Sequence, residues 1–214
     1  MSKDLNPEKA RIFRITHRRN VRWILENGLH CANSDHADPN FIPIGNPELI
    51  DKRKHRVLPA PFHGTLGDYV PFYFTPFSPM MYNIKTGWGG ITKRQNEDIV
   101  IFVSSLWRLQ EEAVEFVFSD RHAYLEAAEF YDSADRLDQI DWEILQQRDF
   151  KRDPNDPAKV ERYQAELLAH AHVPVRALLG LACYNASSNA TIAADMKATG
   201  VTLRSVTAPS WYFQ

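Results

Sequence analysis

Five X-Pro pairs fall within residues 30–68: Asp38-Pro39, Ile42-Pro43, Asn46-Pro47, Leu58-Pro59 and Ala60-Pro61. Each proline disfavours helix at the residue before it and lacks the N–H that a sheet ladder needs. The stretch therefore predicts a loop of almost forty residues. A loop of that length inside a compact domain is uncommon and tends to carry function.

Around this segment the apolar pattern alternates between strand-like and helix-like stretches. Arg11–Thr16 (RIFRIT) predicts a short strand closed by His17. Asn20 is then placed as the cap of a helix whose Val21, Ile24 and Leu25 share one face, with Gly28 ending it. Tyr69–Phe74 (YVPFYF) predicts an aromatic strand that Pro71 pushes to a sheet edge or a bulge. Asp98–Ser104 (DIVIFVS) is continuous enough for a fully buried strand, and Glu115–Ser119 predicts another. Residues 120–147 look helical and acidic, with Leu137, Ile140, Ile144 and Leu145 near a 3.6-residue period. After the Asp153–Pro157 break come a helix over 158–165, strands over 166–170 and 178–184, a helix over 187–198 and a last strand over 201–206. This mixed α/β or α+β pattern predicts a single domain spanning 1–214, long enough to bury a core without staples.

Two cysteines, Cys31 and Cys183, are too few for a disulfide framework, and the N-terminal MSKDLNPEKAR lacks a signal-peptide core. No apolar run approaches a membrane span, so a cytoplasmic chain without membrane contact is expected. No Cys-x-x-Cys or His-Glu-x-x-His spacing exists, so no metal site is expected. P-loop and Rossmann glycine patterns are missing too, and Gly87-Trp88-Gly89-Gly90 reads as a glycine-rich turn. Charge is lopsided. Residues 1–95 carry 14 Lys+Arg and 8 Asp+Glu, while the remainder carries 11 and 19, together giving the formal net of −2. A basic half with interleaved aromatics suits a nucleic-acid surface, although such clusters are also ordinary solvated faces.

The polar residues at strand ends are the chemical candidates. A lone histidine such as His17 often satisfies local backbone groups. Arg53 and Arg56 lie in the basic run DKRKHR, which is equally a solvated charge cluster. Glu166 heads an apolar strand, as either an exposed strand-start residue or a site acid.

Taken in order, several strings resemble one family. They are Ile15-Thr16-His17 with Asn20, Gly64–Phe74 (GTLGDYVPFYF), Ser78–Tyr82 (SPMMY), Phe118-Ser119-Asp120, Asp141-Trp142, and Arg162–Leu168 (RYQAELL) followed by Val173-Pro174. Each is weak alone, but their order and spacing resemble the DarT toxins, single-stranded-DNA ADP-ribosyltransferases of bacterial toxin–antitoxin pairs, across nearly the whole chain. The resemblance implies the ADP-ribosyltransferase fold: a split, mixed β-sheet with surrounding helices and an NAD+ cleft between its halves. That fold binds NAD+ without a Rossmann glycine motif. It further implies transfer of ADP-ribose from NAD+ to thymidine in single-stranded DNA with release of nicotinamide and blocked replication, no metal, and a DarG macrodomain antitoxin as partner.

By the same resemblance Glu166 matches the catalytic glutamate and His17 a histidine holding the adenosine ribose, with Asn20 beside it. Tyr73, or another aromatic of 69–74, would stack on nicotinamide, and Arg53 would assist catalysis and NAD+ binding, with Arg56 the competing assignment. Arg56, His122 and Tyr82 are candidate DNA contacts, and Asn33 and Ser34 candidate NAD+ contacts. The 30–68 loop would cover NAD+. Two other functions remain open from sequence: the same fold acting on guanine, RNA or protein, and a catalytically silent single-strand-binding module.

Overall fold

The apolar runs become the middle of an eight-stranded mixed sheet. The computed structural model describes residues 2–214. In chain order its strands and α-helices are β1 (Arg11–His17), α1 (Val21–Asn27), β2 (Leu29–His30), α2 (Pro47–His55), β3 (Tyr69–Tyr73), α3 (Pro79–Thr86), β4 (Ile99–Ser105), α4 (Leu106–Glu111), β5 (Phe116–Ser119) and β6 (Phe130–Tyr131). There follow α5 (Trp142–Gln147), α6 (Lys159–Arg162), β7 (Glu166–His170), β8 (His172–Val173), β9 (Gly180–Cys183), α7 (Ala186–Thr199) and β10 (Arg204–Thr207). The sheet runs β10-β9-β4-β1-β3-β7-β5-β6, and β2 pairs with β8 in a small second sheet. Among the described residues only β9 and β10 run parallel.

The buried run β4 lies between β1 and β9, in full register with β1 from Arg11↔Ser105 to His17↔Ile99. The other half, β3-β7-β5-β6, is equally continuous, with β3 and β7 paired from Tyr69↔His170 to Tyr73↔Glu166. The two halves meet between β1 and β3 at one register pair, Phe13↔Tyr73. This is the split sheet of the expected fold. Pro71 therefore sits inside the sheet and not at its outer edge, but it sits at the seam. The N–H and C=O of one residue leave the same side of a strand. Because the Pro71 carbonyl accepts from Arg14 of β1 at 3.0 Å, the edge where its N–H is missing faces β1.

Three local expectations are corrected. Residues 30–68 are not loop throughout. Asn46 caps α2 by accepting from Leu49 N–H at 3.0 Å, and Pro47 occupies the first turn, where a missing N–H is harmless. A proline that forbids helix behind it starts one ahead, as Ser78-Pro79 also does for α3. Residues 120–147 are not one helix: they hold β6, a 3-10 turn over Ala134–Gln139 and the short α5 capped by Asp141. Leu137, Ile140, Ile144 and Leu145 are all buried, so their periodicity recorded packing of two short elements onto the core. Finally, the side chain of Asn20 makes no cap bond to α1. Its amide oxygen accepts from Ile42 N–H at 2.9 Å, and its nitrogen donates to Ile42 O and to Thr16 Oγ1. Asn20 is a buried clamp tying the 30–46 segment to the end of β1.

Candidate active site

The seam opens into a cavity of about 430 Å³, floored by β1 and β3 and roofed by residues 37–46 and α2. A volume of this order suits a small-molecule site. The cavity's chemistry gathers at Glu166, the first residue of β7, which is 2% exposed. The preceding residues fix its position. The Arg162 guanidinium bonds Asp141 and Asp156, and Tyr163 O–H donates to Phe77 O at 3.0 Å, which anchors the chain just before the strand. Register then sets Glu166 opposite both Tyr73 and Ser119.

Arg53, near the end of α2, meets the carboxylate as a fork. Nη1 donates to Oε1 at 3.0 Å and Nη2 to Oε2 at 2.8 Å. Ala123 N–H donates to Oε1 at 3.1 Å. That N–H is presented by a loop whose closure depends on Asp120, which accepts from Glu129 N–H, and on His122 N–H donating to Glu161 O. A carboxylate offers about four lone-pair directions. Three are used, so Oε2 keeps one for an incoming hydroxyl.

Burial alone would raise the Glu166 pKa. The Arg53 charge, the neighbouring His122 and the hydrogen bonds more than offset it, and the group lies below the ordinary glutamate value. Burial lowers the His122 pKa, against an opposing pull from Glu166. His122 Nδ1 lies 3.5 Å from Glu166 Oε1 and accepts from Tyr124 N–H at 3.2 Å. The neutral ring thus carries its proton on Nε2. Tyr73 lines the cavity with its O–H 3.6 Å from Met80 Sδ, and burial raises its pKa.

The structure brings together Glu166, Arg53, Tyr73 and His122. His122, expected at the DNA, lies against the carboxylate itself. Arg53, not Arg56, reaches Glu166. Arg56 ends α2 and lines a separate cleft of about 200 Å³ beside Phe130. His17 closes β1, buried, with Nδ1 accepting from Arg19 N–H at 3.2 Å, one residue beyond the cavity wall at Thr16. Burial, then the Arg94 charge, lowers its pKa. Tyr82 stands outside the cavity on α3. Asn33 bonds Thr65 and Asp68, and Ser34 bonds His30, so both are occupied in holding the loop.

Sequence reasoning missed Arg14 and the Ala123 N–H. Arg14 lines the cavity with one bond to Pro71 O and a buried Nε that has no partner, and burial pushes its pKa down to about 10. A charge inside the apolar run RIFRIT was the available signal. A backbone N–H leaves none. Among the described residues no group of three or more His, Cys, Asp and Glu could hold a metal ion, and no helix is long and apolar enough to cross a membrane.

A family model described as ssDNA thymidine ADP-ribosyltransferase, DarT, matches residues 13–213. The chain is 53% identical over 212 residues to a DNA ADP-ribosyl transferase of Escherichia coli O127:H6 (strain E2348/69 / EPEC), covering 99% of this chain and 97% of that one. Thermus sp. 2.9 DarT in complex with ADP-ribosylated ssDNA superposes with a TM-score of 0.88 at 30% identity, covering 97% of this chain and 98% of that one. The same protein in complex with NAD+ gives 0.84, covering 97% and 99%.

Proposed function

This chain belongs to the DarT family of ssDNA thymidine ADP-ribosyltransferases, and from that premise we propose how its own residues carry ADP-ribose from NAD+ to thymine. The fold and the activity are those of an NAD-dependent DNA ADP-ribosyltransferase. The observation that carries the residue roles is the buried Glu166 carboxylate, held ionised by Arg53 with one lone pair left over.

In the reaction the bond between nicotinamide nitrogen and ribose C1 breaks and nicotinamide leaves neutral. Positive charge develops on the ribose, and a fixed anion in a water-poor cavity stabilises it. Glu166 supplies that anion and accepts the ribose 2′-hydroxyl on Oε2. Thymine N3 loses its proton as it bonds to C1, so the products are ADP-ribosyl-thymidine, nicotinamide and one proton. A carboxylate with a lowered pKa is a weak base, and an arginine, which stays protonated, is no base at all. Arg53 therefore positions Glu166 and faces the developing base anion, and the N3 proton passes to the Glu166–His122 pair or to water.

The diphosphate of NAD+ also fits the cavity's cations. Arg14 has an unused buried donor there, and Arg53 stands at the carboxylate. Tyr73 offers its ring to nicotinamide, and His17 keeps an Nε2–H for the adenosine ribose. Asn20 acts through Ile42, whose neighbours Phe41, Pro43 and Ile44 roof the cavity. A macrodomain antitoxin of the DarG kind is the proposed partner, and the cytoplasm, where NAD+ and DNA occur together, is the proposed location.

Purified protein with NAD+ should add one ADP-ribose mass to a thymine-containing oligonucleotide, and Glu166→Ala should abolish the addition. Unmodified oligonucleotides across varied sequences would overturn the assignment. Modification of thymine-free oligonucleotides or of protein would move the acceptor.

A further inference from the structure

The glycine-rich turn after α3 has no part in the site described above, yet its geometry is costly. Gly87, Gly89 and Gly90 all adopt left-handed conformations, with φ of 79°, 68° and 76°. A Cβ at Gly89 or Gly90 would meet nothing within 4 Å. Glycine is therefore needed there for backbone conformation and not for packing. What the turn achieves is the presentation of Trp88, which is 72% exposed. A large apolar side chain held out in this way is informative, because isolated tryptophans usually bury most of their surface.

Its surroundings point to one kind of ligand. Residues 82–95 (YNIKTGWGGITKRQ) contain Lys85, Lys93 and Arg94 and no acid. Among the described residues no carboxylate forms an ion pair with any of the three. Tyr82, 42% exposed on α3, has its ring braced by Phe213 and Phe150 at 5.3 and 6.2 Å. The turn is also tied to the cavity. Asn46 donates to Gly89 O at 3.2 Å, and both Asn46 and Met80, at the start of α3, line the cavity wall. An aromatic-and-cationic rim thus runs from the cavity mouth along α3 to Trp88.

We propose that this rim holds the single strand beside its reacting base, Trp88 and Tyr82 stacking on unpaired bases and Lys85, Lys93 and Arg94 meeting the phosphates. Stacking on an exposed aromatic combined with unpaired cations is how single strands are bound without duplex readout. The inference rests on the DNA-acceptor reading and adds where the strand lies.

The test measures ADP-ribosylation kinetics at saturating NAD+ on a 20-nucleotide and a three-nucleotide thymine-containing oligonucleotide, for wild type, Trp88→Ala and Trp88→Phe. Trp88→Ala should raise the KM of the long oligonucleotide about 5- to 150-fold, the range of about 1–3 kcal/mol for one stacked base. It should leave kcat and the KM of the short oligonucleotide unchanged. Trp88→Phe should recover most of the loss. A Lys93→Gln, Arg94→Gln double variant should flatten the salt dependence of the long oligonucleotide's KM. Because Trp88 is exposed, its thermal midpoint and NAD+ KM should match wild type, which separates binding from folding. An unchanged long-oligonucleotide KM in Trp88→Ala overturns the proposal. If that variant instead escapes inhibition by the antitoxin, the rim belongs to a protein partner. If wild type modifies no oligonucleotide, the DNA reading fails, not the rim alone.

Discussion

Replacing Arg53 with methionine strips the buried carboxylate of its countercharge while keeping the volume. In the wild type Glu166 is 2% exposed and the Arg53 side chain 14% exposed. Removing one partner of such a pair costs about 3–5 kcal/mol, because the remaining charge stays buried and unpaired. Replacing both removes that penalty, so Arg53→Met with Glu166→Gln should recover at least about 2 kcal/mol relative to Arg53→Met alone. Coupling of that size is expected of residues in direct contact. The pH dependence makes the sign specific. In the wild type the Glu166 pKa is lowered, so its contribution is fully present above about 4.5 and is lost as pH falls through the lowered value. In Arg53→Met the largest opposition to burial is gone, only His122 and the Ala123 N–H still act against it, and the pKa rises. The variant is then least disadvantaged in acid and loses stability as pH increases through that raised value, at up to about 1.4 kcal/mol per pH unit. Urea denaturation between pH 5 and 8, without NAD+, reads this directly. A wild-type-to-variant gap that is constant across that range, or additive single costs in the double variant, would refute the buried-pair argument.

Arg56→Met should change stability by no more than about 0.5 kcal/mol, since Arg56 makes no contact with Glu166, and thermal melts set beside Arg53→Met check the contrast. Asn20→Ala strands the Ile42 N–H and C=O, costing about 1–3 kcal/mol for a buried unsatisfied group. Its NAD+ KM should rise about tenfold with kcat little changed, and an unaltered KM would show that the roof does not depend on the clamp. For His17, burial and Arg94 favour the neutral ring, so its contribution is present above about pH 6.5 and lost as pH falls through the lowered value. His17→Gln should reduce the slope of the stability profile between pH 5 and 7, leaving the contributions of His30 and His122, whose pKa values shift in the same direction.

Elements that carry their own signal were legible in the sequence. The runs RIFRIT and DIVIFVS became β1 and β4 within a residue, and Glu166 heads β7 as its apolar neighbours indicate. Where two physical effects compete, the pattern misled. Asn20 has the residue type and position of a helix cap, but its amide is buried and Ile42 offers it a donor and an acceptor at once, so the long-range bond wins. The core residues of 137–145 mimic a helical period because two short elements present them to the same core. His122 could not be separated from a surface histidine, because its meeting with Glu166 is made by strand register 44 residues away. The choice between Arg53 and Arg56 needed the direction of α2, whose start at Pro47 the proline pattern concealed.

The position of the site follows from one residue's missing N–H. A β1–β3 ladder continuing past Phe13↔Tyr73 would need a donor from Pro71 on its β1 edge, and proline has none. Arg14 fills that gap with a side chain, taking the Pro71 carbonyl and turning a backbone ladder into a single bond. The strands can then part on the Tyr69 side of Tyr73, and the cavity lies along that opening. Because β3 stays in register with β7, Glu166 falls opposite Tyr73, where the seam begins. The formal charge of −2 hides the consequence. The guanidiniums of Arg14 and Arg53 both come from the basic half of the chain, the carboxylate from the acidic half, and the sheet's register brings them to one cavity.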